Sequence, residues 1–257
     1  MTWEQQRVSF GANASTYDSM RPGWPADTAR WLTGDAEGAL DVLDLGAGTG
    51  KLTSTLVELG HRVTAVEPDE GMLAVLSAKL PGAEARAGSA ERIPLPDGSV
   101  DVVTVAQAWH WMEQPAAALE VARVLRPGGL LAVAWHQRDV SVPWVGALND
   151  VAGGPEWTET GGDPNAPRRQ VHAGHTKIEL PTQYAALEAA TFTYTLHIPP
   201  AALADLASSW SYVATRPDRD EVLQRIRELG ERVAAEQGTP DLLGLPHLTH
   251  AYRARTH

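Results

Sequence analysis

Val42-Leu43-Asp44-Leu45-Gly46-Ala47-Gly48-Thr49-Gly50 decides the fold: a short apolar run enters three glycines spaced two apart, and helical spacing of apolar residues follows from Thr49 to Leu59. Glycine lets a chain turn sharply from strand to helix and approach a bound molecule closely, while the amides that open the helix stay available as donors. A dinucleotide fingerprint needs its third glycine one residue after Gly50, where the chain has Lys51. The spacing therefore favours a ligand without a pyrophosphate over NAD or FAD. Arg62 to Val66 reads as a second strand that ends in Glu67, at roughly the 20-residue offset where a doubly wound fold carries its ribose-binding acid.

Working outward, Asp27 to Leu32 is predicted as an early helix and Asp41 to Leu45 as the first strand, and Gly60 stops the helix begun at Thr49. Glu70 to Leu80 has Met72, Leu73, Leu76 and Leu80 at helical spacing and is ended by Pro81-Gly82, before a short third strand near Ala83 to Ala87. Val100 to Ala106 is almost continuously apolar, as a parallel strand buried on both faces should be. Ala116 to Leu125 reads as the crossover helix after it, and Leu130 to Trp135 as strand five. Strands that alternate with helices imply an α/β, doubly wound parallel sheet with ligands outside the carboxyl ends of its strands. Beyond His136 the pattern weakens, and Gly153-Gly154-Pro155 and Gly161 to Pro167 are loop-forming, so Val140 to Pro181 is read as an insertion. Phe192 to Ile198 then reads as a strand, Pro200 to Trp210 and Arg219 to Glu236 as helices, and His247 to Arg255 as the last strand.

Composition removes several competitors. A chain of 257 residues with 43% hydrophobic content suits one domain with a sizeable core. No run approaches a membrane span, and Met1 to Met20 is polar without a signal-peptide core, so a cytoplasmic protein with no membrane partner is expected. The absence of cysteine excludes disulfides, thiolate nucleophiles and cysteine-ligated zinc. A net charge of -11 repels a phosphate backbone and argues against a nucleic-acid partner.

Two further segments complete a series: Gly88-Ser89-Ala90-Glu91-Arg92-Ile93-Pro94-Leu95-Pro96-Asp97-Gly98-Ser99-Val100-Asp101, and Leu125-Arg126-Pro127-Gly128-Gly129 before the run Leu130 to Trp135. With the glycine loop and Glu67, in this order, they resemble the class I S-adenosylmethionine-dependent methyltransferases. Within that superfamily the chain is similar to the small-molecule group that includes trans-aconitate methyltransferase. The resemblance is strong over about Phe10 to Trp135 and looser from Ala190 onward. It implies a Rossmann-like, seven-stranded, mostly parallel sheet of order 3-2-1-4-5-7-6 with an antiparallel last strand and a cap inserted after strand five. The implied single domain divides into N-terminal lid helices over 1–38, a cofactor-binding core over 39–139, an insertion or substrate cap over 140–215, and a C-terminal helix and strand over 216–257. The implied cofactor is S-adenosylmethionine, the partner a small-molecule acceptor, and the assembly a monomer or homodimer.

By that resemblance Gly46, Ala47, Gly48 and Gly50 wrap the methionine part and ribose of the cofactor, and Asp44 supports the loop and the ammonium group, although an aspartate there also simply ties down a turn. Glu67, followed by Pro68, matches the paired ribose hydroxyls with one carboxylate. Met72 is read either as a residue packed on adenine or as core filler. Where the family often has an acid this chain has Ser89, which leaves adenine to Ser89, the Ala90 backbone or Glu91. Gln107 follows strand four, where the family meets the methionine ammonium. Tyr17 and Arg21 lie on the segment that resembles the family's cofactor cover and would bond the cofactor carboxylate; the competing reading is an aromatic staple and a solvated arginine.

Methyl transfer from a sulfonium needs little beyond alignment and exclusion of water. A carboxylate acceptor needs no base, whereas a hydroxyl or phenol benefits from one. His110, in Ala108-Trp109-His110-Trp111, and His136 after strand five are the candidate bases, each also readable as a polar wall. His172 and His175 lack the pattern of a metal site, and none is expected. Nine tryptophans stand against two phenylalanines, and Trp109, Trp111, Trp135, Trp144 and Trp210 are candidates to line an apolar acceptor pocket, with core packing as the alternative. The competing functions are an NAD-linked oxidoreductase, disfavoured by Lys51, and a cofactor-binding module without catalysis.

Overall fold

The computed structural model describes residues 23–154, 170–173 and 176–257. Tyr17, Arg21 and His175 lie outside the described residues. In the first half helices and strands alternate except between the third and fourth strands, which follow one another. Helix α1 (Ala26–Leu32) precedes β1 (Asp41–Leu45), α2 (Lys51–Glu58), β2 (Arg62–Glu67), α3 (Glu70–Lys79), β3 (Glu84–Ala87), β4 (Val100–Ala106), α4 (Gln114–Val124) and β5 (Leu125–Arg138). The second half contains α5 (Pro143–Ala152), a hairpin of β6 (Gln170–Ala173) and β7 (Thr176–Glu179), then β8 (Glu188–Ile198), α6 (Ala202–Ser208), α7 (Ser211–Ala214), α8 (Arg219–Glu236) and β9 (Leu243–Arg255).

Seven strands form one sheet in the order β3-β2-β1-β4-β5-β9-β8. Counted along the sheet-forming strands this is the expected 3-2-1-4-5-7-6. The pairs β1–β2, β1–β4, β2–β3 and β4–β5 are parallel, and β9 runs antiparallel to both β5 and β8. Successive strand residues serve opposite faces and both faces are covered, which is why β4 is apolar but for Asp101 and Thr104 and β5 is apolar from Leu130 to Trp135. Leu43, Leu45, Val103, Val105, Leu131 and Val133 pack with Ala117, Val121 and Val124 of α4. Val42, Val102, Leu130, Ala132 and Ala134 pack with Ala29 and Leu32 of α1 and with Leu52 and Leu56 of α2. At the amino ends of the strands, Arg126 bonds both Asp101 and Asp41, and Asp41 also holds Arg62. That network ties β1, β2 and β4 together at the end of the sheet away from the ligand side.

The stretch Val140 to Pro181, expected as a patternless insertion, contains regular structure. Pro143 opens α5 at a position where a missing amide costs nothing, and Val145, Leu148 and Ala152 bury its inner face against α6 and α8. The glycines and prolines that follow α5 masked this helical spacing. Strand β7 adds Ile178 to the α4-side core, and the Tyr184 hydroxyl donates to the Ala118 carbonyl at 2.8 Å, so this part of the insertion is fastened to α4. The expected helix from Pro200 to Trp210 is α6, Ala202–Ser208, and a second short helix, α7, follows it from Ser211. The last strand begins four residues before His247, through Pro246. Proline is a strand breaker in an interior ladder, but β5 pairs with β9 only from His247 onward, so Pro246 stands just past that ladder. Among the described residues no helix is long and apolar enough to cross a membrane.

Candidate functional site

The carboxyl ends of β1, β2, β4 and β5 meet on one edge of the sheet, and the candidate residues gather there. The chain leaves β1 through Gly46 at φ 71° and enters α2 through Gly50 at φ 84°, backbone that residues with a Cβ rarely adopt. Space is also tight: a Cβ on Gly46 would lie 2.8 Å from Ala108 Cβ, and one on Gly50 2.8 Å from Leu80 Cδ1 and 2.9 Å from Leu76 Cγ. The first of these contacts places the glycine loop directly against the turn that carries Trp109, His110 and Trp111.

Two buried acids flank the loop. Asp44 accepts from Thr53 Oγ1 at 2.7 Å and from Thr104 Oγ1 at 3.2 Å, and burial nevertheless pushes its carboxyl up to about 6. Glu67 accepts the Gly48 amide on one oxygen at 2.9 Å and the Asp69 amide on the other at 3.0 Å. Burial raises its carboxyl as well, and those two amides pull it back down. Each carboxylate oxygen has two acceptor directions, so Glu67 keeps capacity for a pair of hydroxyls while it holds the loop. Two acids desolvated this close to a glycine cradle are relieved by a cation, which fits a sulfonium and ammonium ligand better than a pyrophosphate. Met72 is buried at the start of α3, where the Asp69 side chain caps the helix by accepting the Met72 amide at 2.9 Å. A Cβ on Gly48 would sit 3.8 Å from the Met72 sulfur, which places that side chain against the loop as well as in the core.

Ser89, Ala90 and Glu91 follow β3. Ala90 is buried in the core, the Ser89 carbonyl accepts the Arg92 amide at 3.3 Å, and Glu91 accepts the Glu113 amide at 3.0 Å, which braces this segment against the start of α4. Gln107 leaves β4 at φ 59°, unusual for a residue with a Cβ, and its Nε2 donates to the His136 carbonyl at 3.1 Å. Its amide donates to the Ala134 carbonyl at 2.9 Å. The strained turn is thereby tied to β5 by both main chain and side chain, at the carboxyl ends of these strands.

The two candidate bases have different surroundings. His110 is half-buried beside Trp111, with ring centroids 4.9 Å apart, and its Nδ1 accepts the indole N–H of Trp135 at 3.2 Å. His136 is a structural imidazole. Its ring stacks on Trp24 with centroids 3.7 Å apart, and its Nδ1 lies 2.7 Å from Thr249 Oγ1. Burial first, and then the neighbouring His247, pushes it down to about 3, which makes His136 a poor proton acceptor and corrects the expectation of a base there.

The tryptophans do not converge on one pocket. Trp109 is wholly buried in the core, a correction to its expected place in an acceptor wall, and its indole nitrogen has no hydrogen-bond partner among the described residues. Trp135 is buried in the same core as Trp109, a second correction to the expected acceptor wall, with its indole on His110, and Trp111 is partly buried beside His110. Trp144 and Trp210 belong to a separate helical cluster of α5, α6 and α8, where the Arg138 guanidinium lies 3.9 Å from the Trp210 ring and donates to the Tyr212 hydroxyl at 2.7 Å. Sequence reasoning missed Thr53 and Thr104 as supports of Asp44, Trp24 as the cover of His136, and Arg138 at the end of β5. Arg138 lay three residues past a recognised strand end, which was the available signal. The side chain of His172 is not among those described.

A family model described as a methyltransferase domain matches residues 43–133, the span from β1 to β5. Uncharacterized methyltransferases from Mycobacterium tuberculosis and Mycobacterium bovis are each 42% identical over 249 residues, covering 96% of this chain and 95% of those proteins. A malonyl-[acyl-carrier protein] O-methyltransferase from Methylococcus capsulatus is 39% identical over 134 residues, covering 49% of each chain. Among solved structures, that of a putative type II methyltransferase from Anaeromyxobacter dehalogenans is similar at a TM-score of 0.63 and 26% identity, covering 92% of this chain and 97% of that one.

Proposed function

The chain belongs to the methyltransferases and takes S-adenosylmethionine as its cofactor, and from that premise we propose that it transfers a methyl group to an oxygen of a small-molecule acceptor, an aromatic hydroxyl or a carboxylate. The observation that carries the reading is the contact between Gly46 and Ala108, which sets the cofactor loop against the turn bearing His110 and Trp111. An acceptor beside that turn lies next to the bound methyl donor. Similarity to a protein named as an O-methyltransferase supports oxygen as the atom methylated. The small-molecule group that includes trans-aconitate methyltransferase is the proposed place within the family.

When bound, the cofactor supplies an electrophilic methyl carbon on a leaving group that departs without acid assistance. The chain's own residues then have to bind, orient and exclude water. Gly46, Ala47, Gly48 and Gly50 receive the methionine part and ribose, Glu67 accepts the ribose hydroxyls, and Asp44 offers negative charge towards the ammonium. Met72 and the segment Ser89 to Glu91 border the adenine, and Gln107 fixes the exit of β4. Tyr17 and Arg21 are proposed to bond the cofactor carboxylate. Trp111, partly buried beside His110, supplies an apolar, flat surface that suits a ring or a conjugated acid. The NAD-linked alternative is disfavoured, because Lys51 is the first residue of α2 where a dinucleotide fold needs a third glycine.

The test is mass spectrometry of a panel of small hydroxylated and carboxylic metabolites incubated with the protein and methyl-labelled S-adenosylmethionine. A single labelled mass shift at oxygen is expected. Label on nitrogen, carbon or sulfur, or cofactor binding without turnover of any acceptor, would count against the reading.

A further inference from the structure

β8 is the outermost strand at one side of the sheet, and among the described residues it pairs with β9 alone. Its residues match β9 one for one, from Glu188 opposite Arg253 to Ile198 opposite Leu243, without a bulge. The outward row of backbone N–H and C=O groups on such a strand is a template for another strand, and folded proteins blunt it with charge, proline, a bulge or shortness. The opposite edge of the sheet, β3, is blunted in this way: it is four residues long and carries the ion pair of Glu84 and Arg86. Ala189 to Ile198 has none of these devices. Glu188, the one charged residue of β8, is held by Arg253, whose Nε donates to it at 2.9 Å. Thr191, Thr193, Thr195 and His197 are exposed on one face of the strand, and on the other Phe192, Leu196 and Ile198 are only half-buried, so neither face is closed over at this edge.

We propose that the occupant of this edge is β8 of a second copy of the chain, antiparallel about a two-fold axis through Thr193, which joins the two seven-stranded sheets into one. A strand pairs antiparallel with its own copy only if a residue stands on the axis, because opposite residues must share a face and turn their backbone groups the same way. Thr193 is the midpoint of Glu188–Ile198, so this register engages the whole strand. It sets Thr193 opposite the partner's Thr193, Thr191 opposite the partner's Thr195, and Phe192 opposite the partner's Tyr194. Threonine meets threonine on the exposed face and aromatic meets aromatic on the half-buried one, the cross-strand pairs that stabilise a ladder. Charge selects this edge for self-association. Two chains of net charge -11 repel each other over most of their surfaces, but at β8 a run without carboxylate, lysine or arginine meets the same run, and Glu188 at its end is neutralised within its own chain. The two-fold contact uses up both edges, so the assembly closes at two chains.

The chain has no cysteine, so a single introduced thiol on the full chain reports the register. Thr193→Cys brings two thiols together at the axis with Cα atoms about 4.5–5.5 Å apart, within reach of a disulfide, and mild oxidation is expected to give a covalent dimer. Thr191→Cys sets its two thiols four residues apart along the ladder, about 13 Å, and is expected to stay uncross-linked, whereas Thr191→Cys mixed with Thr195→Cys is expected to cross-link. Size-exclusion chromatography with light scattering should show a wild-type dimer that dissociates on dilution. Thr193→Lys sets two ammonium groups face to face on the axis and is expected to raise the dimer dissociation constant by about tenfold or more, with the thermal unfolding of the dilute protein unchanged. A wild type that is a monomer at every concentration, the result if another protein's strand or a segment of the same chain held the edge, overturns the proposal. So does a dimer that Thr193→Lys leaves intact, or a Thr191→Cys chain that cross-links as readily as Thr193→Cys.

Discussion

Acid should unfold this protein through its buried histidines, and His136 gives the cleanest measure. Folded, its ring is neutral and pushed down to about 3; unfolded, it returns to the ordinary 6.5. Between those values the unfolded chain binds the extra proton, so the stabilisation is complete above about pH 6.5 and is lost as pH falls towards 3. The slope is about 1.4 kcal/mol per pH unit for one proton, so a drop from pH 6.5 to 5 removes about 2 kcal/mol from a total that is on the order of 5–15 kcal/mol. His247, pushed down to about 4 chiefly by burial, adds a loss of the same sign. Asp44 opposes both: raised to about 6, it adds stability as pH falls below that value. The wild-type curve therefore mixes signs, and the contribution of His136 is read from a difference. His136→Asn loses the stacking on Trp24 and is less stable at neutral pH, but its further loss between pH 6.5 and 5 should be smaller than that of the wild type by about 2 kcal/mol. Urea unfolding at the two pH values, for both proteins, measures this. Equal pH dependence would refute the reasoning, as would a wild-type His136 ring that titrates above pH 5 by NMR.

Three other outcomes are expected. Glu67→Ala should weaken S-adenosylmethionine binding by about 1–3 kcal/mol in calorimetry, the range for hydrogen bonds to a charged group, and unchanged affinity in a folded variant would remove Glu67 from the ribose site. Gly50→Ala puts a Cβ into a left-handed turn and against Leu80 and Leu76, so thermal unfolding should show a loss of roughly 1–3 kcal/mol, and wild-type stability would mean that the turn relaxes freely. Arg21→Ala should raise the dissociation constant for S-adenosylmethionine by about tenfold or more if the guanidinium meets the cofactor carboxylate, while an unchanged constant would leave Arg21 a solvated residue.

The first half of the fold was legible because its signals are local. A run such as Val100 to Ala106 is almost wholly apolar, broken by Asp101 and Thr104, because both faces of its strand are covered, and a glycine series between strand and helix has few other uses. The place of Glu67 at the end of β2, against the glycine loop, was legible for the same reason, since its offset from that loop is set by one helix and one strand. The second half was less so, because α5 and the β6–β7 hairpin are short elements set among glycine and proline residues, and their inward faces are recognised only against α8 and α4. Pro246 hid the start of β9, although in the assembled sheet it stands just beyond the β5 ladder.

Residue type and spacing were enough to place this chain among doubly wound sheets with its glycine loop at the carboxyl edge, because periodicity and turn chemistry act over a few residues. They did not decide what each polar group at that edge can do. His110 and His136 stand in matching positions after β4 and β5, yet one meets an indole N–H and the other is stacked on Trp24 beside Thr249 and His247. Trp109 and Trp111 are two residues apart, and one is wholly buried while the other is partly exposed. A side chain's tautomer, charge and exposure depend on partners that lie 25 or 113 residues away in the chain, as Trp135 does from His110 and Thr249 from His136, and only the folded sheet brings them together.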